Sequence, residues 1–524
     1  MIERFLAILR PLCCTGALIW SGVALAQSGA KGDWSMTGAD AGQSGWQKAE
    51  TNLAKDNIAS SFKFLWKIQL GKPSKETESF SEPLLASRLI NAQGFKDIVY
   101  WGSPDTLYAV DSELGDLLWQ KHFAPRAKGS AGCVSSNLGL VIEPPAVINF
   151  NARRAPGSPP PPPAVPLEIK ERRLGVAAGG GGFGLKGIYV LANDGYLHEQ
   201  VLTTGDDFAP PVKFLPAANG NALGLNILGK TIYTATGHGC GGVSNGVWAI
   251  NVGDSSYPVA QYATQKVRPL ALTGPAIAPT GTTYIVTGSG STGVGVHADS
   301  VVALEPKDLT VKDWYTPAGG SGNIQNVSPV AFTYKGKELV VAPGKDGSFV
   351  LLDGASLGGP DHHTPLSMTA SFFKAGAKHT WDGLSAWQDK DGVAYVLASV
   401  SGPVATKQNT DKKNGSTDHG AIIAFKVEDA DDKPVLTPIW TSRDMINPAP
   451  PVIANGMVVA LASGSVTTHA TLYVLDANTG EMLYSSKDTI PTYTHLAGIA
   501  LGDSHAFFVD HDNTLYSFGI GMEH

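Results

Sequence analysis

The chain has 524 residues, of which 16% are charged, with a formal net charge of -7 and with 61 Gly and 34 Pro. That length exceeds the ~250–300 residues at which a single core stops growing, so the chain must hold several domains or repeat a small unit. Few charges, an acidic balance and no basic stripe argue against a nucleic-acid partner, because phosphate recognition needs clustered cations.

In chain order, the first element is a secretory leader. "MIERFLAILRPLCCTGALIWSGVALAQSG" opens with Arg4 and Arg10, continues as an apolar stretch and offers Ala24-Leu25-Ala26 at the cleavage positions. The apolar run is interrupted by Pro11 and Gly16 and falls short of the ~20 residues needed to span a bilayer, so cleavage before Gln27 is expected rather than an anchor. Residues 1–26 are read as this signal, and no later segment has the length to span a bilayer. The expected location is periplasmic or secreted. Cleavage removes Cys13 and Cys14 and leaves Cys133 and Cys240 in an oxidising compartment. A disulfide between them and two separate buried thiols are both open readings.

Residues 27–524 are read as one repeated structure. Eight hexapeptides share one shape: "TLYAVD" from Thr106, "GYLHEQ" from Gly195, "GVWAIN" from Gly246, "SVVALE" from Ser300, "SFVLLD" from Ser348, "AIIAFK" from Ala421, "TLYVLD" from Thr471 and "TLYSFG" from Thr514. Most successive starts lie about fifty residues apart, the length of one blade of a repeat architecture. Each follows a partner rich in Val, Ile, Tyr and Thr that ends at Gly, Ser, Asn or Asp, such as "DIVYWGS", "TIYTATG" and "MVVALAS". Further apolar segments beside Pro precede several of these, such as "SEPLLA", "VSPVAF" and "APPVIA". The expectation is an all-β, eight-bladed β-propeller of four-stranded antiparallel blades. The last repeat lacks an outer strand, and "SFKFLWKIQL" (Ser61–Leu70) has no blade of its own. The N-terminal strand is therefore expected to close the last blade.

Two stretches interrupt the repeat. Residues 152–173 carry five consecutive prolines, a stiff polyproline II insertion loop at the surface. Residues 401–420 are polar and read as a solvated loop between strands. Other clusters read as structure. Asp361, His362 and His363 are adjacent in "GGPDHHTP", and neighbouring side chains of extended chain point to opposite faces, which disfavours one metal held by both histidines. "VDHDNT" (Asp510 to Thr514 after Val509) reads as an Asx-rich hairpin turn, and the Gly-rich 175–184 as a loop with no following helix to present amides to phosphate.

The segments "DWSMTGADAGQSGWQ", "FLWKIQL", "TLYAVDSELGDLLW" and "LYVLDANTGEMLYSS" together resemble the quinoprotein propellers. That group includes the alcohol dehydrogenases that use pyrroloquinoline quinone (PQQ), and non-catalytic relatives such as the lipoprotein scaffold of outer-membrane protein assembly. The resemblance implies an axial quinone held by Ca²⁺ or a lanthanide, a stacking Trp, a vicinal disulfide and a basic side chain, with an Asp as base. A hard cation needs carboxylate oxygen, and hydride loss from an alcohol needs a proton acceptor.

Matched residue by residue, much of that set is missing. "GSAGCVSSNLG" keeps Cys133 and Asn137 but has Gly132 in place of the first cysteine. "TATGHGCGG" puts His238, Gly239 and Cys240 where a metal Glu is expected, and "LALTGPAIA" puts Leu272 near the Trp position. "VTGSGS" offers Ser289 for the metal Asn, and "GNIQNVSPV" offers Asn323 and Gln325 for an Asp pair. Lys345 in "APGKDGSFVLLD" matches the basic quinone ligand. The candidate cofactor-binding residues are thus Lys345, Cys133 and Asn137. No metal site and no catalytic residue is assigned, and the channel lining is expected to offer no anionic oxygen to a cation. PQQ is the cofactor this resemblance would bring, and the absence of Cys-x-x-Cys-His leaves no expectation of a c-type haem.

Two functions compete. The first is a secreted propeller with a degenerate quinone and metal site that binds a protein or small ligand at its axial face. The second is a divergent periplasmic PQQ-dependent alcohol or sugar dehydrogenase.

Overall fold

Alternating apolar residues that end at turn-forming Gly, Asn and Asp form strands whose two faces are both buried, so no single blade is stable alone. A computed structural model describes residues 32–73, 80–91, 94–123, 138–143, 187–265, 267, 269, 273–290, 295–317, 327–344, 346–373, 376–405, 412–494 and 498–521. The leader at 1–26, the proline run and the Gly-rich stretch lie outside the described residues.

Eight antiparallel sheets follow one another along the chain. Blade 1 has Leu84–Asn91 innermost, then Gly94–Gly102, Thr106–Asp111 and, outermost, Leu117–His122. The same inner-to-outer order holds for blade 2 (Gly139–Ile142 to Asp207–Lys213), blade 3 (Asn221–Leu228 to Val259–Gln265) and blade 4 (Ala276–Ile277 to Val311–Tyr315). It holds again for blade 5 (Val330–Tyr334 to Ser367–Met368) and blade 7 (Val452–Ala454 to Met482–Ser485). All eight expected hexapeptides are the third strand of a blade.

Blade 8 is completed by the N-terminus. Lys63–Gln69 pairs antiparallel with Thr514–Gly519, from Lys63 opposite Gly519 to Gln69 opposite Thr514, as the unpaired strand in the sequence required. Joining the chain ends in one sheet removes the open edge that a linear array would expose. Blade 6 departs from expectation. Its inner strand is Thr380–Gln388 and its outer Lys433–Thr441, but Lys412–Lys413, inside the stretch read as a plain solvated loop, adds a fifth strand parallel to Trp440 and Thr441. A two-residue strand carries too little pattern to be seen in a sequence.

The core lies between blades. Ile285 of blade 4 shares a cluster with Ile232 and Val247 of blade 3, while its neighbours Tyr284 and Val286 face Val340 and Leu352 of blade 5. Successive side chains of one strand thus serve the two adjacent joints.

The repeated stretches around Asp111 and Asp476 have a shared geometric role. The Asp111 carboxylate accepts from the amides of Glu113 and Leu114 at 3.0 and 3.1 Å, and Asp476 accepts from Asn478 and Thr479 at 2.8 and 3.0 Å. Each turn then presents a glycine and a carbonyl to a Trp from the preceding blade. Trp66 donates from Nε1 to the Ser112 carbonyl at 3.0 Å and lies against Gly115; Trp440 donates to the Ala477 carbonyl at 2.8 Å and lies against Gly480. A Cβ at Gly115 would come within 2.7 Å of the indole, and φ is +73°, so only Gly fits. Trp119 docks likewise on the Leu202 carbonyl of blade 2 at 3.0 Å.

Residues 33–50 form a girdle around the axis. Its backbone bonds the inner strands in turn: Trp34 with Leu85, Ser35 with Ile142, Ala41 with Ile277, Gly42 with Ala331, Ser44 with Ala386, and Gly45 and Gln47 with Ile453, at 2.6–3.0 Å. Gln47 Nε2 then donates to the Leu501 carbonyl of blade 8 at 2.9 Å. Among the described residues, no helix is long and apolar enough to cross a membrane.

Candidate functional site

In a four-stranded antiparallel blade the loops that enter the inner strand and the loops joining the second and third strands share one face. On that face the girdle floors an axial funnel. Gly38, Gln43 and Gly45 come from the girdle, and Glu82, Thr273, Ser328, Asp382, Ser385 and Pro450 stand at the entrances of the inner strands of blades 1, 4, 5, 6 and 7. The cavity is about 30 Å³, room for little more than a water molecule or an ammonium group, and opens to solvent.

Two carboxyls line it. Glu82 is 7% exposed, and its Oε1 accepts from the Trp34 indole at 2.7 Å and from the Gly38 amide at 3.0 Å. Burial pushes its pKa up to about 8, an increase that those two hydrogen bonds only partly offset. Asp382 accepts from the hydroxyls of Ser401 at 2.5 Å and Thr380 at 2.9 Å. Burial raises it to about 7, against the opposing pull of both hydroxyls. Among the described residues lining the funnel there is no Lys, Arg or His. Acids in a cleft with strongly raised pKa values make that cleft a candidate functional site. At neutral pH these two hold protons or are poised to lose them, so they donate hydrogen bonds to a neutral ligand or pair with a cationic one.

The axial lining was expected to offer no anionic oxygen to a cation; it carries two carboxyls, Glu82 and Asp382, whose raised pKa values favour the protonated form. Glu82 and Asp382 were missed because the resemblance directs attention to blades 3, 4 and 5, whereas these acids belong to blades 1 and 6. The visible signal was an acid at an otherwise apolar inner strand, in "SEPLLA" and "TWDGLSAW".

Of the residues singled out from the sequence, Lys345, Cys133 and Asn137 lie outside the described residues, as do Gly132, Leu272, Asn323 and Gln325. Cys240, at the position matched to a metal Glu, is buried and disulfide-bonded; every other cysteine of the chain lies outside the described residues. Ser289 is exposed and donates to Asp299 at 3.0 Å. His362 stacks on Trp314 and pairs with Asp313 at 2.9 Å, while His363 bonds the Thr316 carbonyl at 2.7 Å, so the two histidines face different partners.

No family model matches the sequence, and no curated protein does. Solved structures do match the fold. A europium-containing methanol dehydrogenase superposes with a TM-score of 0.56 at 12% identity, over 93% of this chain and 98% of that one. A quinohemoprotein alcohol dehydrogenase from Comamonas testosteroni gives 0.52 at 12% identity, over 94% of this chain and 81% of that one. The quinohemoprotein alcohol dehydrogenase ADHIIG from Pseudomonas putida HK5 gives 0.51 at 12% identity, with the same coverage. The chain thus shares the eight-bladed propeller fold of these structures.

Proposed function

We propose that this chain is a secreted or periplasmic ligand-binding propeller, and that its axial funnel takes the ammonium group or the hydrogen-bond acceptors of a small molecule. The observation that carries this reading is the funnel's described lining: a buried carboxyl, a half-buried one and no basic side chain among those residues. A quinone cofactor bearing carboxylates would find no basic side chain in the described lining to offset its charge, and would have to keep Glu82 and Asp382 protonated beside it. The disulfide at Cys240 supports an oxidising compartment. Cys133 is the partner we assign to it, and peptide mapping without reductant checks that pairing.

Mixing the purified protein with PQQ and Ca²⁺ or a lanthanide tests the reading directly. The expected result is no quinone spectrum and no dye-linked alcohol oxidation; a stoichiometric, active holoprotein would overturn it. A panel of primary and quaternary ammonium compounds should contain ligands that raise the unfolding temperature of the wild type and fail to do so in the Glu82→Gln, Asp382→Asn double variant.

One observation favours the second reading, a divergent PQQ-dependent dehydrogenase. A desolvated carboxyl with a pKa near 7 would be suited to take the alcohol proton. On that reading Lys345 contacts the quinone and Lys345→Ala weakens its binding; unchanged quinone affinity in that variant would remove the reading's best residue.

A further inference from the structure

On the opposite face, where the first and second strands of each blade join, the last and first blades meet. Asp503 and Ser504 form the two-residue turn between Ala500–Gly502 and His505–Val509, and Glu113 sits in the turn after Thr106–Asp111. One ligand atom each from Glu113, Asp503 and His505 lies within 4.8 Å of the other two. His505 is 2% exposed. Its Nδ1 lies 2.6 Å from the Asp503 carbonyl, which can only accept, so Nδ1 carries the proton. In the neutral ring Nε2 then presents a lone pair. Nε2 is buried, has no hydrogen-bond partner among the described residues, and faces Glu113 Oε2 at 3.8 Å.

A lone pair aimed at a carboxylate is repulsive unless a proton or a metal cation lies between them. A backbone carbonyl on the other ring nitrogen is the arrangement that fixes a metal-binding histidine. Asp97, whose carboxyl hydrogen-bonds that of Asp503 and accepts from the Arg88 amide, completes an acidic shell behind the three donors. The nearby cationic side chain acting on Asp97 is Arg88, which is exposed.

We propose that His505 Nε2 and the carboxylates of Glu113 and Asp503 form a site for a divalent transition cation of the zinc class. One imidazole with two carboxylates suits zinc, and a water would take the fourth position. Because Glu113 belongs to blade 1 and the other two ligands to blade 8, the ion would bridge the joint at which the ring closes. The site is independent of the funnel's occupant.

The test uses the full chain, prepared without a histidine tag and stripped with chelator. Titration with ZnCl₂ should show one saturable site, and zinc should raise the unfolding temperature in proportion to the logarithm of its concentration above Kd. Glu113→Gln and Asp503→Asn should each weaken that binding by roughly 10–100-fold or more. His505→Ala removes a buried side chain and risks misfolding, so the two carboxylate variants, whose side chains lie in turns, carry the result. Absence of saturable zinc binding would overturn the proposal, as would affinity unchanged in both carboxylate variants.

Discussion

On the funnel face, Glu82 and Asp382 stand on different blades, and each carboxyl is bonded by neutral donors: an indole and an amide for Glu82, two hydroxyls for Asp382. On the opposite face, Glu113, Asp503 and Asp97 crowd against one another around His505 at the joint of blades 8 and 1. Isolated buried acids relieve their desolvation by keeping a proton. Crowded acids beside an unpartnered imidazole nitrogen are relieved only by a shared proton or a cation. One ring thus carries two kinds of acidic site, a proton-holding cup on its axis and a cation-type cluster at its seam.

The largest way to break the comparison is to remove the floor of the cup. Trp34 is fully buried in the girdle and donates to Glu82. Trp34→Ala should cost about 3–5 kcal/mol in urea unfolding, since it loses a large buried side chain and leaves Glu82 short of a donor. A cost under about 1 kcal/mol would mean that the girdle is not part of the cooperative fold.

The next test sharpens the claim that the cup holds protons. Glu82 rises from 4.5 to about 8 on folding. Between those limits the folded chain keeps a proton that the unfolded chain has released, so raising the pH favours unfolding. This contribution should erode stability by roughly 1.4 kcal/mol per pH unit as an upper bound, a few kcal/mol between pH 5 and 8. Glu82→Gln should remove that slope, and Asp382→Asn should act in the same direction over a window ending near pH 7. Parallel unfolding curves of wild type and both variants across pH 5–8 would contradict the assignment.

Smaller effects probe the seam. Trp66→Phe keeps most of the packing but deletes the bond to the Ser112 carbonyl, and should cost about 1 kcal/mol by denaturant midpoint. Smallest, and away from the seam at the joint of blades 1 and 2, is Lys121→Ala, which breaks a solvent-exposed pair with Asp207 at 3.2 Å. It should change stability by less than about 1 kcal/mol, an effect that vanishes in high salt.

Much of the architecture could be read in advance because strand periodicity and turn chemistry are local. Thr471–Asp476 and Thr106–Asp111 announce themselves as third strands, and Lys63–Gln69 is a strand without a blade of its own, which ring closure satisfies. The fifth strand at Lys412–Lys413 was not legible, because two lysines have no period and pair only through Trp440 and Thr441. Nor was the funnel. Glu82 and Asp382 are 300 residues apart, and each looks like a lone acid beside an apolar run.

By itself, then, the sequence determined the number of blades, the four-strand order common to them and the closing partner, because strand periodicity and turn chemistry are properties of short windows. The tertiary structure alone decided which acids are stripped of water and what they face. Burial, and with it the pKa of Glu82 and the company of His505, depends on blades brought together from distant parts of the chain, and Coulomb and desolvation energies follow distance in space rather than along the sequence.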